Sequence, residues 1–154
     1  MIDRGERSKA AVILLAEDNP ADQELTRRAF AEYKLKNELH IVNDGAEAMD
    51  FLKKRGKYPA NSTPRPDIIL LDINMPKMDG IQALKEIKSD NSLKLIPVVM
   101  LTTSSHERDV VSSYNLGANA FITKPVDFNM FVQALWEVNE FWLVVVTLPP
   151  GKAP

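Results

Sequence analysis

Four short apolar runs in this chain are each followed at once by residues able to do chemistry. Glu17 and Asp18 follow the run at 12–16. Asp72, then Asn74, follow the run at 68–71. Thr102, Thr103 and Ser104 follow 98–101, and Lys124 and Pro125 come just after Phe121 and Ile122. If these ends meet, three carboxylates, a hydroxyl cluster and one lysine share a rim. Clustered carboxylates repel each other and require a cation. Oxygen donors with neither histidine nor cysteine beside them suit a hard ion such as Mg²⁺. Mg²⁺ keeps positions open that phosphate oxygens commonly fill, and a lysine and a hydroxyl facing it complete an anion site. The reaction that fits is in-line phosphoryl transfer onto a carboxylate oxygen. The chain would position the partners and neutralise the charge of the moving group.

The elements that must bring these ends together are legible in the hydrophobic pattern. Continuous apolar runs of this length suit strands covered on both faces. A weaker run at 39–42 suits an edge strand. Helical patterns lie between the runs. In the first, Leu25, Ala29 and Tyr33 share a face, with Asn19 as cap, Pro20 at the first helical position and Asp22 in the first turn. The second, at 46–54, gathers Ala48, Met49, Phe51 and Leu52, and Asp44 with Glu47 has capping-box spacing. Asp79 and Gln82 repeat that spacing before Ala83, Leu84 and Ile87. Segment 106–116 is polar, with Val110, Val111 and Leu116 as its apolar minority, and 127–141 is a strong amphipathic helix. Strand and helix thus alternate five times, which predicts a parallel sheet with helices on both faces. In such sheets functional groups collect beyond the carboxyl ends of the strands. The three prolines within 57–66 mark a loop, and Pro97 opens the fourth strand.

With these residues in place, a family resemblance becomes visible. The string LLDINMPKMDG at 70–80 resembles the phosphorylation-site signature of response-regulator receiver domains. Glu17–Asp18, LTTS at 101–104 and KP at 124–125 fall in that family's order and spacing, over roughly residues 11–141. The resemblance implies an α/β fold of the (βα)5 doubly wound, flavodoxin-like (CheY-like) type, with a parallel five-stranded sheet of order 2-1-3-4-5. It implies that Asp72 is the phosphoacceptor. Asp18 would hold Mg²⁺ (or Mn²⁺) directly and Glu17 through water, with Asp72 and the backbone carbonyl of Asn74 completing the protein ligands. Thr102 would hydrogen-bond a phosphoryl oxygen and Lys124 would pair with the group, across a cis bond to Pro125. Phe121 occupies the position of a switch aromatic, and Asn74 and Ser104 occupy positions that tune acyl-phosphate hydrolysis. The chain departs from the family pattern twice. Its switch aromatic has no hydroxyl, and its acidic pair is Glu-Asp rather than Asp-Asp.

Bulk properties bound the rest. The length of 154 residues suits one domain, and 45% hydrophobic with 26% charged residues is ordinary for a globular protein. Without cysteine there are no disulfides or thiolate metal sites. A net charge of −2 gives no pull toward nucleic acid or an anionic membrane surface, and no stretch has the length of a membrane span. His40 and His106 lack a second ligand at useful spacing and read as solvent-side residues. The expected organisation is a disordered, polar lead-in at 1–10, a receiver domain at 11–141 and an apolar tail at 142–154, in a cytoplasmic protein with no DNA-binding or catalytic output.

Phe141 and Trp142, followed by Leu143, Val144, Val145 and Val146, form an apolar strip of the kind that marks an interface. The β-branched residues favour an extended form that could add to a sheet edge or lie across a second subunit. This tail also resembles that of the small response regulators paired with bacterial phytochromes. That likeness implies a homodimer and a sensor histidine kinase of the bacteriophytochrome type as donor. The expected function is therefore a phosphoacceptor switch, limited to self-catalysed phosphotransfer and autodephosphorylation. Two alternatives remain: a receiver fold used only for binding, and a Mg²⁺-dependent phosphatase with an aspartate nucleophile. The first is opposed by the complete residue set. The second would place its nucleophile after the first strand with another aspartate two residues on, whereas position 74 is Asn. If the tail is the dimerisation arm, a chain ending at Phe141 runs as a monomer in light scattering while the full chain is a dimer; equal masses would remove the tail from that role.

Overall fold

Strands that are covered on both faces need apolar side chains at every position, and the three central strands show this directly. In the computed structural model, which describes residues 11–32, 37–113 and 115–138, β1 (Ala11–Ala16), β3 (Ile68–Asp72) and β4 (Val98–Thr102) are buried along almost their whole length. β2 (Asn37–Val42) lies at one edge and buries only Val42 fully. β5 (Ala120–Thr123) forms the other edge. The strands pair in parallel in the order β2-β1-β3-β4-β5, as the resemblance implied.

Alternation along the strands divides the core into two layers. Ile13, Leu15, Leu70, Val99 and Leu101 face α1 (Pro20–Glu32) and α5 (Phe128–Glu137). Leu14, Ala16, Ile69, Leu71, Val98 and Met100 face the layer that holds α2 (Gly45–Lys53), α3 (Gly80–Ser89) and the Val111 side of α4 (Ser105–Ser113). The register sets the strand ends level with one another. Ala16 lies opposite Leu71, so Glu17 and Asp72, the next residue of each strand, emerge side by side. Thr102 lies opposite Thr123, which places Lys124 one step beyond that pair.

The caps follow the sequence with one difference. Asn19 Oδ1 accepts from the N–H groups of Ala21 and Asp22 at 2.8 and 3.1 Å and starts α1. Asp79 and Gln82 form the reciprocal capping box of α3, and Asp127 caps α5. Asp44 caps α2 through the N–H of Glu47. The Glu47 carboxylate, however, reaches past the cap and accepts from the N–H of Asn43 at 2.9 Å. Its second oxygen accepts from the Tyr58 hydroxyl and pairs with Lys57. Burial pushes the Glu47 carboxyl up, but the bonds from Tyr58, Lys57 and Asn43 outweigh it and hold the group down to about 2.

Three helical expectations shift. The buried face of α1 is Thr26 and Phe30, while Leu25 is 47% exposed. Phe30 takes the core because its ring sits edge-on to Phe131 and Phe128, with centroids 4.8 and 6.0 Å away. Thr26 tolerates burial by donating its hydroxyl to the Asp22 carbonyl. In α4, Val111 is buried and Val110 exposed. That helix ends at Ser113 rather than 116, because Asn115 and Gly117 take positive φ of 50° and 91° and cannot continue it. The strong helix at 127–141 runs as α5 to Glu137. The lead-in at 1–10, Tyr33 and the tail residues Phe141 to Val146 lie outside the described residues.

One glycine holds the site-bearing loop against its strand. The N–H of Gly80 donates to the Ile73 carbonyl at 2.8 Å. A Cβ at this position would stand 2.1 Å from the carbonyl oxygen of Asp72. Gly80→Ala is therefore expected to destabilise the fold by about 1–3 kcal/mol, the range for forced overpacking, read from the urea midpoint; an unchanged midpoint would show that the loop has slack there.

Candidate functional site

At the carboxyl ends of β1 and β3 the backbone delivers two buried carboxylates, Glu17 and Asp72. Asp18 stands beside them and is exposed. One carboxylate oxygen from each of the three lies within 4.8 Å of the others. The end of β5 supplies the counter-charge. Lys124 Nζ lies 3.0 Å from Glu17 Oε1, 3.2 Å from Asp22 Oδ2 and 3.3 Å from Asp72 Oδ1. Its own backbone N–H donates to the Thr102 carbonyl at 2.7 Å, tying β5 to β4, and the bond to Pro125 is cis.

Three carboxylates thus share one ammonium, with Asp18 beside them. Burial pushes the Asp72 carboxyl up to about 7, with the charge of Glu17 adding to the effect and Lys124 offsetting part of it. Burial alone would push the Lys124 ammonium down, but its bond to Glu17 and the charges of Asp72 and Glu17 outweigh this and hold it above the usual lysine range. The residual negative charge, the all-oxygen donor set and the closeness of the three carboxylates fit a hard divalent cation. Glu17 has both oxygens engaged, one by Lys124 and one by the N–H of Asn19 at 3.1 Å. That occupancy favours contact with a cation through water rather than directly. Next to this cluster, Thr102 is 1% exposed and its Oγ1 has no hydrogen-bond partner among the described residues. A buried hydroxyl in that condition is unfavourable unless some state of the site supplies an acceptor.

The rim residues are arranged around α4. Asn74 Nδ2 donates to Glu107 Oε2 at 2.9 Å, and the N–H of Thr103 donates to Glu107 Oε1 at 2.7 Å. The Thr103 N–H holds the Glu107 carboxyl below its ordinary range, against a smaller opposing effect of burial. Ser104 Oγ accepts from the N–H of Glu107 at 3.3 Å and caps α4. Phe121 is half-buried, and the Arg108 guanidinium lies 5.2 Å from its ring centroid. A cavity of about 170 Å³, lined by Val111, Leu116, Ala118 and Phe121 among others, opens beside the ring. His40 is half-buried on the edge strand and pairs with Glu38 at 2.5 Å, so it is less open to solvent than the sequence suggested.

The structure therefore gathers Glu17, Asp18, Asp72 and Lys124 into one cluster and places Thr102 at the next strand end. Asn74 and Ser104 meet at Glu107. Two site residues were not foreseen. Asp22 reads in the sequence as a first-turn helix acid, and its reach to Lys124 follows from α1 starting at the rim. Glu107 carries a legible signal, since Ser104 and Glu107 have capping-box spacing, but nothing local points to Asn74.

The response regulator receiver domain matches residues 13–136. The chain belongs to the response regulator receiver family. Among its relatives, the response regulator Rcp1 of Synechocystis sp. is 44% identical over 94% of this chain and 97% of its own. The structure of Rcp1 in a Mn²⁺-bound form superposes with a TM-score of 0.70 at 45% identity, over 90% of this chain and 99% of that one. The bacteriophytochrome response regulator AtBRR gives a TM-score of 0.83 at 46% identity, over 87% and 96% of the two chains. The phosphorylated cyanobacterial phytochrome response regulator RcpA gives 0.70 at 45% identity, over 91% and 99%. This receiver is thus homologous to regulators associated with phytochromes, and its family serves two-component phosphorelays.

The crowding at Asp72 has a measurable consequence for a receiver of this geometry. Asp72→Asn removes a buried charge that its surroundings disfavour, at the loss of one partner of Lys124. In the absence of divalent cations it should stabilise the fold by about 1–3 kcal/mol. Added Mg²⁺ should then raise the thermal midpoint of wild type more than that of the variant, because only the folded wild-type site binds the ion well. Calorimetry with and without Mg²⁺ checks both, and a destabilised variant would show that Lys124 depends on Asp72 more than Asp72 suffers from burial and from Glu17.

Proposed function

We propose that this receiver is a phosphorelay switch that accepts a phosphoryl group on Asp72 from a sensor histidine kinase of the bacteriophytochrome type. The observation that carries the reading is the convergence of Asp72, Lys124 and the Glu17–Asp18 pair beside a buried hydroxyl without a partner. Asp72 supplies the nucleophilic oxygen. Its bond to phosphorus forms as the phosphorus–nitrogen bond of a phosphohistidine breaks, and the electron pair leaves with the imidazole nitrogen. Lys124 exchanges its contact with Asp72 for one with a phosphoryl oxygen. Thr102 gains an acceptor for its hydroxyl. Asp18 and Asp72, with Glu17 through water and the backbone carbonyl of Asn74, would hold Mg²⁺ or Mn²⁺, which neutralises charge on the phosphoryl oxygens. The reported Mn²⁺-bound form of Rcp1 and the phosphorylated form of RcpA support both parts.

Phosphorylation then shifts a two-state equilibrium. Thr102 moves toward the phosphoryl group, Phe121 turns toward the space Thr102 leaves, and the α4 face changes. Asn74 and Ser104 set how fast the acyl phosphate hydrolyses. Signalling proceeds through protein contacts or through the state of a homodimer built on residues 141–146. The phytochrome regulators among the relatives support the choice of donor. We place the protein in the cytoplasm, where a histidine kinase finds ATP. No helix of the described residues is long and apolar enough to cross a membrane.

The test is phosphotransfer from a phytochrome-type histidine kinase charged with labelled ATP. Wild type should take up alkali-labile label with Mg²⁺ present and lose it when EDTA is added beforehand, and Asp72→Asn should take up none. Equal labelling of both proteins would end the role of Asp72. Faster transfer from a kinase of another class would overturn the phytochrome link alone.

A further inference from the structure

We propose that Glu107 is a positioning residue that holds the unphosphorylated site at rest, by tying the loop after β3 to the loop after β4 through a single carboxylate. The inference rests on the phosphorelay reading and adds a residue to it. One oxygen of Glu107 accepts from the side-chain amide of Asn74, two residues beyond Asp72. The other accepts from the backbone N–H of Thr103, the neighbour of Thr102. The two loops belong to different strands, and Asn74 and Glu107 are separated by 33 positions in the chain. The Thr103 contact resembles the reach of Glu47 back to Asn43 at the start of α2, whereas the contact to Asn74 has no such local origin. Capping of α4 is met separately, by the Ser104 hydroxyl on the N–H of Glu107.

Two physical effects make this bridge oppose phosphorylation. The first is geometric. Thr102 must carry its hydroxyl to a phosphoryl oxygen, and the adjoining N–H of Thr103 is held at 2.7 Å by Glu107. Movement of Thr102 toward Asp72 pulls that donor away from its acceptor. The second is electrostatic. A phosphoryl group brings about two negative charges into a rim that already holds Glu17, Asp18 and Asp72. The Glu107 carboxylate, positioned over Asn74, repels it. Both effects stabilise the resting state relative to the phosphorylated one, so loss of Glu107 shifts the population toward the active form.

The predicted direction is opposite to that of simple damage. A residue that only supports the local fold weakens ligand binding when removed, whereas release of the bridge strengthens it. The experiment is calorimetric titration of beryllofluoride, a phosphoryl mimic, into Mg²⁺-loaded protein. Glu107→Ala should bind it about two- to fivefold more tightly than wild type, the range set by exposed charged pairs. Glu107→Gln can keep both contacts if the Asn74 amide turns over, and lacks only the charge, so its gain should be smaller; it also serves should the alanine variant fold poorly. In an Asn74→Ala background, which keeps the backbone carbonyl, the gain from Glu107→Ala should shrink, since part of the effect runs through that amide. Equal or weaker binding by both Glu107 variants, or an undiminished gain in the Asn74→Ala background, would overturn the proposal. Absence of Mg²⁺-dependent binding in wild type would instead overturn the phosphorelay reading.

Discussion

The structure depends on one ammonium placed among more carboxylates than it can neutralise. Lys124 lies within 3.3 Å of Glu17, Asp22 and Asp72, and Asp18 stands just outside. Without Lys124 two buried carboxylates would face each other across the ends of β1 and β3, an arrangement that costs several kcal/mol. With it, the balance is still negative. The site is therefore incomplete by charge, and the excess fits a divalent cation. Under the proposed function a phosphoryl group would then be held by the cation and Lys124 together. A fully neutralised cluster would be more stable and would have no reason to bind either.

The parallel sheet makes this crowding possible. Strand ends in register bring backbone from four places in the chain to one edge, and the apolar bodies of those strands supply the burial that keeps the repulsion from being screened away. Glu17 is 1% exposed and Asp72 3%, and by alternation along β1 and β3 they continue the side of the sheet that carries Leu15, Leu70 and Leu101. The same layering leaves Thr102 buried, its hydroxyl without a partner among the described residues. A buried hydroxyl in that condition costs stability, and under the proposed function a phosphoryl oxygen would supply the missing acceptor.

Much of this was legible in the sequence, because the signals are local. Runs such as VILLA, IILL and VVML can only be strands covered twice, and the residues that follow them fall at the functional edge by topology alone. Asn19, Asp44 and Asp79 announce their helices by cap chemistry that works within four residues. Most of the misreadings concern choices made by distant partners, although the early end of α4 is set locally by Asn115 and Gly117. Leu25 and Phe30 compete for the core side of α1, and the winner is decided by Phe128 and Phe131, about a hundred positions away. Glu47 has the spacing of a capping box, yet Lys57 and Tyr58 draw it outward and leave Asn43 as its backbone donor. Asp22 looks like a helix-dipole acid and is also a partner of Lys124. Periodicity reports which residues share a face, but not which of two faces finds the better partner.

Under the proposed function Phe121 would act as a switch aromatic with no hydroxyl to mark an inward or outward state. In its place the Arg108 guanidinium lies over the ring at 5.2 Å, an electrostatic contact that favours the half-buried position at an exposed site by about 0.5–1 kcal/mol. Arg108 is the neighbour of Glu107 on the first turns of α4. One short helix thus carries a contact to the Phe121 ring and contacts to the loops after β3 and β4. Among the described residues of α4, Val111 is the buried hydrophobic one, so the helix is lightly anchored to the core. Weak restraints grouped on a lightly anchored element suit the proposed two-state device better than strong ones, since a phosphoryl group would have only a few kcal/mol of differential affinity with which to move it.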